Sequence, residues 1–237
     1  MKGLISGFLA ASSAGLSLDL IKILLFYTNI TEFELIYQRS FVAFIIVTVI
    51  IYYNNLSPFD LDRNVAKFAF GRVIGSSFGF MFEVFALEFI PVSKAVLIIN
   101  NPILTSIISF VLIGERSSKH DIISFVICTI GVIFLTDPFS ESITDFNHVV
   151  GLVIAFLSSL SFNLSYVALR YIKDRPVNSW LLVFYIMATN LIIMPSCFLS
   201  IDVYKETFTN YNDKVYILIL LIGLLTLSTL YFTHLTF

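Results

Sequence analysis

Charged residues are scarce: they form 13% of the 237 positions, about half the share found in a soluble domain. The 14 Lys and Arg and 16 Asp and Glu leave a net charge of -2. The basic residues are scattered singly, so the electrostatic footprint of a nucleic-acid-binding protein is missing and no nucleic-acid partner is expected. Cysteine is nearly absent. Cys128 and Cys197 each sit inside an apolar run, which excludes a disulfide framework and a CxxC metal or redox motif. The three histidines, His120, His148 and His234, fall in different loops or helix ends, so neither an HExxH zinc site nor a histidine-box iron site exists. GxSxG and P-loop patterns are also lacking. No catalytic residue, metal site or cofactor is therefore expected, and an enzyme such as an intramembrane acyl transferase has no motif behind it.

What the chain has in excess is hydrophobicity. Hydrophobic residues reach 58% and the mean hydropathy is +0.93. A water-soluble domain could not cover that much apolar surface with 30 formal charges. The solvent must be lipid. Apolar runs long enough to cross a bilayer as helices, roughly 17–25 residues, recur eight times: 3–27, 35–53, 68–89, 92–114, 122–136, 149–171, 179–201 and 215–236. Unpaired backbone is intolerable in hydrocarbon, and the alternating ten-residue pattern of a membrane barrel is missing. An all-α integral membrane protein with eight transmembrane helices is predicted. The first run, which opens on Met1-Lys2 and carries Ser12-Ser13-Ala14, could pass for a cleavable signal peptide. It continues well past Ala14, however, and is better read as a retained span.

The chain also echoes itself. A shift of 148 residues places Gly3, Leu4, Phe8, Leu9, Ser13, Leu16 and Ser17 on Gly151, Leu152, Phe156, Leu157, Ser161, Leu164 and Ser165, and without a gap pairs Tyr37 with Tyr185 and Gly75 with Gly223. Five spans separate the two starts, an odd number, so the copies enter the membrane from opposite sides, the inverted repeat of secondary transporters. The repeats are 1–137, with five helices, and 148–237, with three. Nothing corresponds to residues 91–137 in the second copy, so the chain reads as the first eight helices of a ten-helix (5+5) protein, as a truncated or divergent short form. Lys2, Arg63, Lys67, Arg116, Lys119, Lys173 and Arg175 fall on one side, against Lys205 and Lys214 on the other. This bias sets the N-terminus in the cytosol; plasma membrane and endomembrane are not distinguished.

The fourth run is the most informative. It opens with Pro91-Val-Ser-Lys94, carries Asn100-Asn101-Pro102-Ile-Leu-Thr105 at mid-span and closes on Leu112-Ile-Gly-Glu115. This pattern resembles the fourth helix of the EamA domain. The chain is thereby similar to members of the drug/metabolite transporter superfamily, near the eukaryotic solute carrier 35 G-type proteins. The resemblance implies ten helices in two inverted repeats and a substrate cavity lined by the third and fourth helices of one repeat and their counterparts in the other.

Lys94, Asn101 and Thr105 stand at i, i+7 and i+11 on one helical face, with Asn100 on the adjoining face, a polar stripe in an apolar span. An ammonium in the membrane must pair, face a wet cavity or snorkel to the interface, so Lys94 is either a substrate-facing group or an anchor. Pro102 frees a carbonyl near Ile98. Gly71, Gly75 and Gly79 form a small-xxx-small packing stripe on the third span. Beyond it Glu83 either couples a proton or substrate or pairs with a base on a neighbouring helix. Arg39 could clamp an anionic group bidentately or satisfy a carboxylate. Arg72 is expected to snorkel at the cytosolic end, and Asp19 and Lys22 to pair along the first helix.

Lys94, Asn100, Asn101, Thr105, Glu83 and Arg39 are thus the candidate substrate-binding residues. The leading functional expectation is a secondary transporter or exporter of a small polar or anionic metabolite by alternating access. The alternative is a non-transporting membrane protein: a truncated paralogue, a partner-binding protein or a half-subunit. The partners expected are the lipid bilayer and an unidentified small-molecule substrate, with a second copy or another chain as a candidate. The topology is testable directly. A cysteine at Glu141, in the acidic loop after the fifth span, should react with an impermeant reagent only from the non-cytosolic side; labelling from the cytosol alone would overturn both the orientation and the inverted repeat.

Overall fold

The computed structural model describes residues 2–28, 30–58, 63–100, 102–114, 146–172, 177–198 and 213–236, with six more between 123 and 134. Among them eight helices run in order: α1 Lys2–Tyr27, α2 Glu32–Tyr53, α3 Arg63–Phe89, α4 Val92–Ile99, α5 Pro102–Ile113, α6 Phe146–Ile172, α7 Ser179–Phe198 and α8 Asp213–Thr236. The described residues contain no strand. Five helices, α1, α2, α3, α6 and α8, are long and apolar enough to cross a membrane. The expected fifth span, 122–136, falls mostly outside the described residues.

Local sequence explains the boundaries. Thr31 caps α2 by accepting from the Glu34 N–H at 3.3 Å, with Glu34 at the third position as a capping box prefers. The fourth run is not one helix but two. Pro102 has no N–H to give to the turn before it, and α4 ends at Asn100, whose backbone N–H and side-chain Nδ2 both donate to the Val96 carbonyl at 3.0 Å. From α6 the Ser159 hydroxyl donates to the Ile99 carbonyl at 2.9 Å. A neighbouring helix thus supplies the donor that the broken turn lacks, the condition under which irregular backbone persists at membrane depth.

Side chains are sorted for a lipid solvent. Phe8, Phe26, Phe41, Val49 and Phe110 face outward, while Ser76, Ser77, Ser158, Ser159, Asn163 and Asn190 are buried. Polar contacts then tie helix to helix, as expected where lipid removes the hydrophobic drive to associate: Ser13 shares a hydrogen bond with Thr229 at 3.0 Å, and Ser158 donates to the Gly79 carbonyl at 2.9 Å. Lys22 does not turn to Asp19. It donates to the Leu87 carbonyl in the last turn of α3, where unsatisfied carbonyls and the helix dipole attract a cation.

The packing pairs α3 with α6, α1 with α8 and α2 with α7; α4 and α5 also lie on α6. Exchanging α1 with α6, α2 with α7 and α3 with α8 leaves the three main pairs unchanged. The glycine stripe makes one of the close contacts between α3 and α6. A Cβ on Gly75 would lie 2.8 Å from the Ser161 carbonyl oxygen and 3.0 Å from the Ser165 Cβ, and one on Gly79 would lie 2.8 Å from the Phe162 ring. Gly75→Leu should therefore force α3 from α6 and cost roughly 1–3 kcal/mol, the usual penalty of overpacking, read as lost folded yield and thermal stability in detergent. Gly15, whose Cβ would meet nothing within 4 Å, is the control and should accept Ala. Normal yield and melting for Gly75→Leu would show that the glycines do not set the contact.

Candidate functional site

The helices enclose a central cavity of about 60 Å³. Its α3 wall is a single stripe, Arg72, Ser76, Phe80 and Glu83, at i, i+4, i+8 and i+11 on one helical face. Facing it are Arg39 of α2, Asn100 at the α4–α5 break, Phe162 and Tyr166 of α6, and Thr226, Thr229 and Thr233 of α8. That volume holds a few waters but is well below the ~300 Å³ of a small-molecule pocket. A second cavity of about 200 Å³ adjoins it, sharing Ala14, Asn100, Tyr166, Thr229 and Thr233.

Charge is concentrated here. Arg39 and Arg72 are 2% and 1% exposed and Glu83 is 8% exposed. Arg39 lies over the Phe80 ring at 4.8 Å and interacts electrostatically with Glu83, so this end of the cavity carries a cation and an anion together. The other end carries Arg72. Its Nη1 donates to the Ser165 hydroxyl at 2.6 Å, Ser165 donates on to the Arg72 carbonyl at 2.8 Å, and Ser76 and Ser165 share a hydrogen bond at 2.7 Å. The guanidinium sits 5.5 Å from the Tyr166 ring. Arg72 and Glu83 are 11 residues apart, so the cavity spans roughly 16 Å along α3 at the helical rise.

On α8 the hydroxyls are oriented by their own helix. Thr226 donates to the Ile222 carbonyl at 2.8 Å, Thr229 to Leu225 at 2.9 Å and Thr233 to Thr229 at 2.7 Å. Their lone pairs are what remain for the cavity. Guanidinium donors therefore come from α2 and α3, and hydroxyl acceptors from α8.

Of the six candidate residues, the structure brings Arg39, Glu83 and Asn100 together on this cavity. Lys94 is half-buried in the first turn of α4 and is not among the cavity's lining residues. Asn101 and the Thr105 side chain lie outside the described residues. Arg72 corrects the sequence reading: it is buried at the centre instead of snorkelling, because Ser165 of the facing helix holds its guanidinium. The spacing that joins Arg72 to Glu83 across three turns carried that signal. Thr226, Thr229 and Thr233, at i, i+3 and i+7 on an apolar span, were legible by the same rule and were not singled out.

Together these features define an integral, multi-pass, all-helical membrane protein with a charged and hydroxylated cavity enclosed by its bundle. The EamA-like transporter family profile matches residues 1–137, and the chain belongs to that family, whose members are transporters of the drug/metabolite class. Among solved structures, one described as "Crystal structure of protein" is similar, with a TM-score of 0.66 and 15% identity over 99% of this chain and 78% of that one, a likeness that shows the fold. None of the curated proteins matches the chain.

The hydrogen-bond pattern around Arg72 makes a stability prediction. Ser165→Ala removes the partner of a buried guanidinium and should cost about 1–3 kcal/mol, seen as a lower melting temperature in detergent. Ser76→Ala removes a neutral contact and should cost about 0.5–1 kcal/mol. Equal losses would mean that the charge of Arg72 adds nothing to the contact.

Proposed function

We propose that the chain is a secondary transporter that moves a small polar or anionic metabolite by alternating access of two inverted repeats, 1–137 and 148–237, with its N-terminus cytosolic. The carrying observation is the central cavity, lined by buried charges on α2 and α3, hydroxyls on α8 and the broken turn between α4 and α5. Discontinuous helices at a cavity between repeats are where transporter folds bind substrate and coupling ions. The exchange pattern of the helix pairs supports the repeat assignment, and within the family we place the chain near the solute carrier 35 G-type proteins on the strength of the fourth-span pattern.

In this reading Arg39 and Glu83 hold each other while the site is empty. A bound anion competes for Arg39 and frees Glu83 to take a proton or a cationic group of the substrate. Asn100 supplies amide donors and an acceptor at the break. Lys94, Asn101 and Thr105, on one helical face by their spacing, are proposed as further substrate contacts.

Uptake into proteoliposomes from a panel of metabolites, normalised to folded protein, tests the proposal. Glu83→Gln should slow transport at least tenfold with the protein still folded. Lys94→Ala should weaken affinity for an anionic substrate by roughly 1.5–3 kcal/mol, the range for a charge-assisted hydrogen bond; unchanged affinity would assign Lys94 to the membrane interface. Folded protein that moves no solute from the panel would favour the non-transporting, partner-binding alternative.

A further inference from the structure

Arg72 keeps more hydrogen-bonding capacity than its surroundings use. Its Nη1 is taken by Ser165, yet Nε and Nη2 are both buried without a partner. These two N–H groups point in parallel along one edge of the guanidinium, the fork that matches two oxygens of a carboxylate or phosphate. Among the described residues no Asp or Glu forms an ion pair with Arg72, and the carboxylate on this cavity, Glu83, is engaged electrostatically with Arg39. The Arg72 end of the cavity therefore holds an uncompensated positive charge. His234 on α8, which interacts electrostatically with Arg72, also has a buried Nε2 without a partner.

A structural role does not account for this arrangement. The same pair of helices is joined nearby by Ser158 and the Gly79 carbonyl, a neutral contact with no charge to desolvate, whereas an arginine in the hydrocarbon region is costly and its unmade hydrogen bonds add to that cost. Snorkelling is excluded by its 1% exposure. The few waters that the cavity admits can hydrate the fork but cannot neutralise it.

We propose that the Nε–Nη2 edge of Arg72 is the anchoring point for the oxyanion group of the substrate, a carboxylate or phosphate held bidentately. The inference rests on the cavity being the substrate site and specifies which group is recognised and where. The Tyr166 ring holds the guanidinium plane from one side and Ser165 fixes its third nitrogen, so the fork is oriented before the ligand arrives. The remainder of the substrate runs along the Phe80 stripe toward Arg39 and Glu83.

The test is a melting experiment on the purified full chain in detergent, with sodium phosphate and sodium acetate as probes against sodium chloride at matched ionic strength. Phosphate or acetate, whichever matches the natural group, should raise the melting temperature saturably where chloride does not. Arg72→Lys, which keeps the charge but loses the fork, should raise the half-saturating concentration at least tenfold. Lys67→Gln, an exposed charge five residues away on the same helix, should leave it unchanged. If Arg72→Lys fails to fold, the comparison of oxyanions with chloride on the unmodified protein still decides. An equal response to chloride, no response to either oxyanion, or a response kept in Arg72→Lys each overturns the assignment. Oxyanion binding without solute movement in vesicles would remove the transport reading and keep this one; transport of a neutral solute without oxyanion binding would do the reverse.

Discussion

The close approach of α3 to α6 at Gly75 is the contact on which the rest of the molecule depends. A side chain at that position would collide with the Ser161 carbonyl, so only glycine lets the two backbones meet. That approach puts Ser165 within reach of Arg72, Ser158 on the Gly79 carbonyl and Phe162 edge-on to Phe80, with ring centroids 5.2 Å apart. The same helix, one residue further along its inner face, sends Ser159 to the broken turn at Ile99. α6 therefore holds the arginine, the aromatic waist and the interrupted fourth span in one frame. In lipid these contacts cannot be replaced by generic apolar burial, because the surrounding tails are as apolar as leucine.

The main helix pairs are exchanged symmetrically, but the charge on the cavity is not. Arg39, Arg72 and Glu83 all lie in the first half; 148 residues further on stand Met187, Leu220 and Tyr231. The second half contributes hydroxyls instead, from Thr226, Thr229 and Thr233. One half thus supplies charge that must be desolvated and the other supplies dipoles that are already satisfied by their own helix.

Composition and period were enough to determine the solvent, the helical class and most of the element boundaries. Thirteen percent charge forces lipid contact, lipid forces internally hydrogen-bonded helices, and the apolar runs then mark their ends to within a few residues, as 3–27 against Lys2–Tyr27 and 179–201 against Ser179–Phe198 illustrate. The Gly71-Gly75-Gly79 stripe and the weak point at Pro102 were legible because each acts through its own backbone. Tertiary structure alone decided which charges meet. Arg72 has the same side chain and nearly the same depth whether it snorkels or is buried; what selects between them is a serine 93 residues away. Lys22 likewise leaves its near neighbour Asp19 for a carbonyl on another helix. A sequence read one helix at a time gives the face on which a residue stands, and only the packed bundle gives what stands opposite it.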